Sequence, residues 1–255
     1  MTTLTLLTKI YSSNQRRHID QTVKDLFEGL DVEATVSGAP NERWIHVSLS
    51  GEDDAVATNL LARDFGFCPS TLENVEAGST LKGFVTNLKN SKEELLVDVG
   101  VFQPKAVQAV VPLGNLQSQL AGGKSIALKR ISELWGICEY LPLRVKIVNV
   151  NAEENRIDAE LAAEQIEKYM LWRDSLLDRL LVLGVSLSQV KTAVEQAMLN
   201  RDVVDIESLG MFEHAMVCKL GTDASGLIPM LGRRLRAATF TVFSQRKVNA
   251  FFNSQ

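Results

Sequence analysis

Residues 232–236, Gly-Arg-Arg-Leu-Arg, set three guanidinium groups within four positions. A guanidinium offers paired N–H donors that match the oxygens of a phosphate, so Arg233, Arg234 and Arg236 are candidates for gripping a polyanion. Arg246 and Lys247 follow, and residues 215–255 hold 6 basic groups against 1 acidic one in a chain whose net charge is −4. A second set of cations lies mid-chain: Lys82, Lys89, Lys92, Lys105, Arg144, Lys146 and Arg156. There, residues 77–161 carry 10 basic and 9 acidic groups. The remaining segments are acidic, with 6 basic against 12 acidic over 1–76 and 5 against 9 over 162–214. This balance argues against indiscriminate polyanion binding by the whole chain and directs attention to the two basic regions.

Residue types for covalent chemistry are sparse. Gly221-Thr-Asp-Ala-Ser-Gly226 is small, polar and bounded by glycine, with Asp223 as a potential base and Ser225 as a potential nucleophile. It lacks the spacing and the lysine of a phosphate-binding P-loop, and no histidine stands beside it in sequence, so a turn explains it more simply. Cys68, Cys138 and Cys218 form no CxxC pair, and His18, His46 and His214 are scattered. Reduced, mostly buried thiols and no metal site follow from that spacing. Neither catalytic residues nor a cofactor site is expected.

The elements that must position these residues fall into three parts. Over 1–76, strand-like 3–11, a helical face at 15–30, strands at 32–37 and 43–49 around turn residues 38–42, and a helix at 52–65 give the order of a split βαβ domain. A fourth strand is expected near 70–76. Over 77–161, strand-like segments at 79–88, 94–99, 107–111, 141–150 and 156–161, with helices at 115–120 and 125–138, give the order of a five-stranded OB barrel. Over 162–255, an apolar stripe from Ile166 to Leu183 and a second from Val190 to Met198 predict an αα-hairpin. A β-rich segment follows, with strands at 214–220 and 238–243 and a loose end at 249–255. The fold class is therefore α+β. The longest apolar runs are a few residues, far short of the roughly 20 a membrane span needs, and the start does not read as a secretory signal, which places the chain in the cytoplasm.

The barrel segment resembles the S-one-type OB domain, named for a small-subunit ribosomal protein. Gly83-Phe84-Val85 meets its opening Gly-x-Val, and Val110-Val111-Pro112-Leu113 loosely meets the end of its third strand. Leu143-Arg144-Val145-Lys146-Ile147-Val148-Asn149-Val150-Asn151 followed by Arg156-Ile157-Asp158-Ala159-Glu160-Leu161 meets its last hairpin. Over its full length, with Cys218–Pro229 as its C-terminal mark, the chain also resembles an uncharacterised archaeal protein family that carries such a domain. The resemblance implies RNA binding, with Phe84 as a base-stacking platform. Leu95 and Leu96 stand where a second aromatic belongs, and Leu113 where a histidine does. Stacking contributes roughly 1–3 kcal/mol per base, so the two departures weaken that implication.

The expectation is a non-enzymatic RNA- or ribonucleoprotein-associated binding factor. It would hold phosphate through Lys82, Lys89, Lys105, Arg144, Lys146 and Arg156 on the barrel and through Arg233, Arg234 and Arg236 beyond it, with Phe84 against a base. The alternative is a protein-interaction scaffold whose barrel has lost RNA binding, docking through the acidic N-terminal domain or the αα-hairpin. Residues 183–190 read like the turn of a DNA-binding helix pair, but the acidic surroundings repel phosphate and argue against DNA.

Overall fold

The computed structural model describes residues 2–38 and 43–253. The turn expected at 38–42 and the end of the chain at 254–255 lie wholly or largely outside the described residues. Contacts divide the chain into two units, one made of residues 1–74 with 100–106 and the other of residues 75–99 with 107–255.

The first unit begins with β1 (Thr2–Lys9), α1 (Ser13–Leu26), β2 (Val32–Ser37), β3 (Trp44–Gly51), α2 (Asp54–Asp64) and the two-residue β4 (Ser70–Thr71). The sheet order is β1-β3-β2, all antiparallel. Residues 66–68 run along the free side of β1. The Leu7 N–H donates to the Gly66 carbonyl at 3.0 Å and the Cys68 N–H to the Thr5 carbonyl at 2.9 Å. The expected split βαβ order is therefore present. Ile19 and Val23 of α1, Ala57 and Leu61 of α2, and Ile45, Val47 and Leu49 of β3 are all buried, which is the alternation that periodicity demands.

The second unit opens with β5 (Thr80–Thr86), β6 (Glu94–Gln103), β7 (Val107–Pro112), α3 (Leu113–Leu120), α4 (Leu128–Trp135), β8 (Pro142–Asn151) and β9 (Arg156–Leu161). The strands follow β6-β5-β8-β9-β7, and β7 also pairs with β6, so the sheet closes into the five-stranded barrel. Leu143, Val145 and Ile147 point inward and are buried, while Arg144, Lys146 and Val148 between them are exposed. That period of two is what makes β8 readable as a strand. The far end of β6, residues 100–103, leaves the barrel and pairs with β4 in the first unit.

The chain continues through α5 (Ala163–Asp174), β10 (Arg179–Leu183), α6 (Leu187–Gln196), β11 (Val203–Ser208), β12 (Glu213–Cys218), α7 (Ala224–Gly232), β13 (Thr239–Phe243) and α8 (Gln245–Asn253). The sheet order is β11-β12-β10-β13, all antiparallel. A C-terminal helix–strand segment is thus present, but the expected αα-hairpin is interrupted. Residues 179–183, read as helix, are the central strand β10. Leu180 to Leu183 are each at most 1% exposed, because the sheet is covered on both faces. A short run of apolar residues without alternation reads equally as buried helix or buried strand. The loose end at 249–255 is, as far as 253, the last turns of α8.

Each face of this sheet has its own cover. Leu180, Val182, Met216 and Cys218 pack with Val190 of α6 and Leu227 and Leu231 of α7. The alternate residues Arg179, Leu181, Glu213 and Phe243 project the other way. There a β-carbon at Gly136 would meet Leu181 at 3.1 Å and Phe243 at 3.4 Å. Trp135, Tyr169, Trp172 and Phe243 form a ring of aromatic contacts with centroids 5.3 to 6.0 Å apart, joining α4, α5 and β13.

Gly83 is where β5 crosses β6 most closely. A β-carbon there would stand 2.7 Å from both the Asp98 carbonyl oxygen and Val97 Cγ1. Gly83→Ala is expected to cost about 1–3 kcal/mol through forced strand separation. At roughly 2–4 °C per kcal/mol for a chain of this size, thermal denaturation should show a clearly lower Tm. An unchanged Tm would contradict the packing at this crossing.

Candidate functional site

A cleft of about 180 Å³ lies between barrel strands β5 and β8, helix α5 and the turn joining β11 to β12. Its cations are Lys82, Arg144 and Lys168, and Tyr169, Trp172 and Leu209 wall it. The register of β5 and β8 sets Lys82 directly opposite Arg144. Like charges directly opposite one another destabilise a strand pair. Among the described residues no ion pair engages Lys82, Arg144 or Lys168.

Helix α5 is stitched to β8 at this point. The Ala162 N–H donates to the Arg144 carbonyl at 3.0 Å, and the Arg144 N–H donates to Gln165 Oε1 at 3.1 Å. The residue preceding α5 is Ala162, which makes no side-chain cap. Glu164 and Gln165 of the first turn line the cleft, so the positive end of the helix dipole opens beside the three cations.

The opposite wall is held by a charge network. The indole of Trp172 donates to Glu207 Oε2 at 2.9 Å, and Arg179 Nε donates to Glu207 Oε1 at 3.3 Å. Arg179 also donates to Ser175 Oγ at 2.9 Å and to the Leu177 carbonyl at 3.1 Å. Lys168 and Arg179 lie 5.2 and 5.0 Å from the Trp172 ring, within cation–π range. Burial pushes the Lys82 ammonium below its ordinary value; Glu213 opposes that shift and Arg144 reinforces it. Burial lowers Lys168 too, opposed by Glu207 and reinforced by Lys82, Arg179 and Arg144. Gly210 is needed in the turn, because a β-carbon there would collide with the Glu213 carboxylate and meet Lys82 Nζ at 3.7 Å.

The ten residues singled out in the sequence do not converge. Lys82 and Arg144 share the cleft. Lys146 is on the same barrel face but pairs with Glu160 at 3.5 Å, and Arg156 pairs with Asp158 at 2.7 Å. Lys89 is exposed in the β5–β6 loop. Lys105 belongs to residues 100–106 of the first unit. Phe84 is 1% exposed and offers no face for a base. Arg233, Arg234 and Arg236 follow α7, which covers the sheet face opposite to the one that carries Arg179 and Glu213. Arg234 is occupied there, donating to the carbonyls of Met230 at 3.1 Å and Gln196 at 2.8 Å.

The Asp223–Ser225 pair is a helix cap. Asp223 Oδ1 accepts from the Ser225 N–H at 2.9 Å at the start of α7. His214 is buried in β12 with Nε2 3.0 Å from the Val185 carbonyl. The Ser225 hydroxyl also donates to Asp223 Oδ1 at 2.5 Å, and among the described residues no hydrogen bond joins His214 to either of them. Among the described residues no group of three His, Cys, Asp or Glu side chains could hold a metal, and no helix is long and apolar enough to cross a membrane.

Sequence reasoning missed Lys168, Tyr169, Trp172, Arg179, Glu207 and Glu213. The first four sat inside an apolar stripe read as helix packing, and the glutamates within a segment read only as acidic. A usable signal was the set of three cations, Lys168, Arg173 and Arg179, flanking one tryptophan.

The fold and its cleft define a multidomain protein built on an OB-like barrel followed by a βαββαβ sheet. The chain belongs to the DUF2110 family: the models of its N-terminal, central and C-terminal domains match residues 3–71, 75–173 and 177–243. No curated protein matches the chain. Among solved structures, an uncharacterized protein from Methanocaldococcus jannaschii is 17% identical over 35% of this chain and 95% of its own, with a TM-score of 0.24. A protein of vaccinia virus (Wisconsin strain) is 19% identical over 34% of this chain and 89% of its own, with a TM-score of 0.23. The intact alpha subunit of aIF2 from Pyrococcus abyssi is 11% identical over 66% and 96%, with a TM-score of 0.26. At these scores none of the three bears on what this chain binds.

Two outcomes test the site's surroundings. The Tyr169 hydroxyl is buried and has no hydrogen-bond partner among the described residues, and burial raises its pKa. Tyr169→Phe should therefore leave stability unchanged or raise it by about 1 kcal/mol, measured by chemical denaturation. Burial holds His214 below its ordinary value of 6.5. Between its folded and unfolded values the unfolded chain binds more protons, so this contribution to stability is present above about pH 6.5 and lost as pH falls through the folded value. His214→Gln should flatten the acid side of the stability–pH curve, and a curve of unchanged slope would refute that assignment.

Proposed function

We propose that this chain is a non-enzymatic binding factor for RNA or a ribonucleoprotein, gripping phosphate at the cleft formed by Lys82, Arg144 and Lys168. The observation that carries the reading is the cross-strand pair of Lys82 and Arg144, which no ion pair among the described residues neutralises, with Lys168 converging on it. Such an arrangement is costly in the free protein; Glu213 beside Lys82 and Glu207 beside Lys168 offset part of the cost, and a bound anion relieves the rest. The outward face of β6 supplies no comparable surface, since half-buried Glu94, Leu96 and Asp98 alternate along it.

This reading separates the two basic regions. Lys82, Arg144 and Lys168 form the grip, and Arg233, Arg234 and Arg236 lie on a different surface. A second reading, docking of a protein, is favoured by exposed apolar side chains in the C-terminal segment: Met198 at 86%, Leu220 at 69% and Val204 at 57%.

The test compares RNA retention by the intact chain with two triple alanine variants, each checked for folding by its thermal melt. Replacing Lys82, Arg144 and Lys168 should weaken binding at least tenfold. It should also reduce the slope of log affinity against log salt by about 0.7, because the cleft holds one phosphate and each phosphate neutralised on a single strand adds about 0.7 to that slope. Replacing Arg233, Arg234 and Arg236 should change affinity far less. Wild-type retention by the folded cleft variant would overturn the proposal, and partners that survive nuclease treatment would favour protein docking.

A further inference from the structure

We infer that the cleft receives a phosphomonoester end-on, as the terminal phosphate of a nucleotide strand, in preference to the phosphodiesters along its backbone. This rests on the proposed reading of the same site and makes its ligand specific.

The first argument is space. At about 180 Å³ the cleft is smaller than the roughly 300–1,000 Å³ of pockets that take whole small molecules. It admits a phosphate and part of a sugar. A continuous strand laid through it would need room for sugars on both sides of the bound group. The walls offer little give: Leu141, Pro142 and Leu143 are buried, and Tyr169 and Trp172 are locked in the aromatic ring contacts.

The second argument is charge. Three cations line the cleft, Lys82 and Arg144 side by side on the paired strands β5 and β8 and Lys168 on α5. No side chain caps the start of α5, whose first turn lines the cleft. Against the cations stand Glu213, which attracts Lys82, and Glu164 of the cleft lining. Arg179 and Glu207 balance each other. An internal phosphodiester brings one negative charge. A terminal phosphate brings close to two at neutral pH, and three oxygens that can accept from separate donors. Glu164 and Glu213 leave the cleft with a net charge of only about +1, so it is the three cationic donors, matched to the three free oxygens of the second group, that favour the terminal phosphate.

The third argument is placement. Lys82 and Lys168 are half-buried while Arg144 is exposed. A strand passing over the surface meets Arg144 first, and only an end can reach down to both lysines.

The test uses one 12-nucleotide RNA prepared with a 5′-phosphate, with a 3′-phosphate and with hydroxyls at both ends, together with a nucleoside monophosphate and inorganic phosphate as competitors. Binding of each RNA to the full chain is read by fluorescence anisotropy at fixed ionic strength, and the nucleoside monophosphate and inorganic phosphate are also titrated alone by calorimetry. At least one phosphorylated form should bind ten times more tightly than the hydroxyl-ended RNA. Arg144→Gln and Lys168→Gln, with unchanged melts, should each erase that preference. Equal binding of all three RNAs would sink this inference and leave the proposed function standing. If RNA fails to bind while the nucleoside monophosphate does bind, with loss in both variants, the phosphomonoester site stands on free nucleotides and the RNA reading falls. Failure of every probe would overturn both.

Discussion

The second unit depends on four aromatic rings. Trp135 from the end of α4, Tyr169 and Trp172 from α5, and Phe243 from β13 touch in a closed ring, three contacts edge to face and the Trp135–Phe243 contact tilted. Such pairs contribute about 0.5–1.5 kcal/mol each beyond the area they bury. Their greater effect is geometric. They fix the C-terminal sheet against the barrel's helices, and the cleft is the gap left beside them. Trp172 belongs to both structures: one edge packs on Phe243 and Tyr169, its N–H holds Glu207, and Lys168 and Arg179 approach its ring. The position of the cationic side chains is thus inherited from an apolar cluster.

Much of the architecture was legible where one face of an element is dry and the other wet. Strand β8 shows this best, with Leu143, Val145 and Ile147 inside and Arg144 and Lys146 outside. The same alternation fixed β2 and β9 at the bounds later observed. Legibility failed where both faces are dry. Leu180 to Leu183 carry no alternation, because α6 and α7 cover one side and the barrel's helices the other. The helix α7 was missed for a different reason: Gly226 and Pro229 lower its intrinsic propensity, and only packing of Leu227 and Leu231 holds it.

The candidate site was half legible. Lys82 and Arg144 could be proposed because the opening strand and the last hairpin of the barrel were each legible, but nothing in the sequence said that they face each other. Pairing register joins residues 62 positions apart, and a charge count along the chain cannot see it. The arginines at 233, 234 and 236 show the converse error. They are adjacent in sequence, yet one of them caps the ends of two helices, and all three lie behind the sheet from the cleft. Density along a chain measures neither convergence nor availability.

Residues 100–106 have a consequence for how the chain is made. They are the extension of a barrel strand, yet Phe102 lies 6.1 Å from Trp44 and 6.0 Å from His46, and Gly100 abuts Cys68 closely enough to exclude a β-carbon. The first βαββ segment therefore cannot complete its core when its own last residue leaves the exit tunnel. It must wait for a piece borrowed from the strand that follows. Vectorial synthesis would hold Trp44 partly open until β6 is complete, and a cut after Asn74 would leave the amino-terminal segment permanently in that unfinished state.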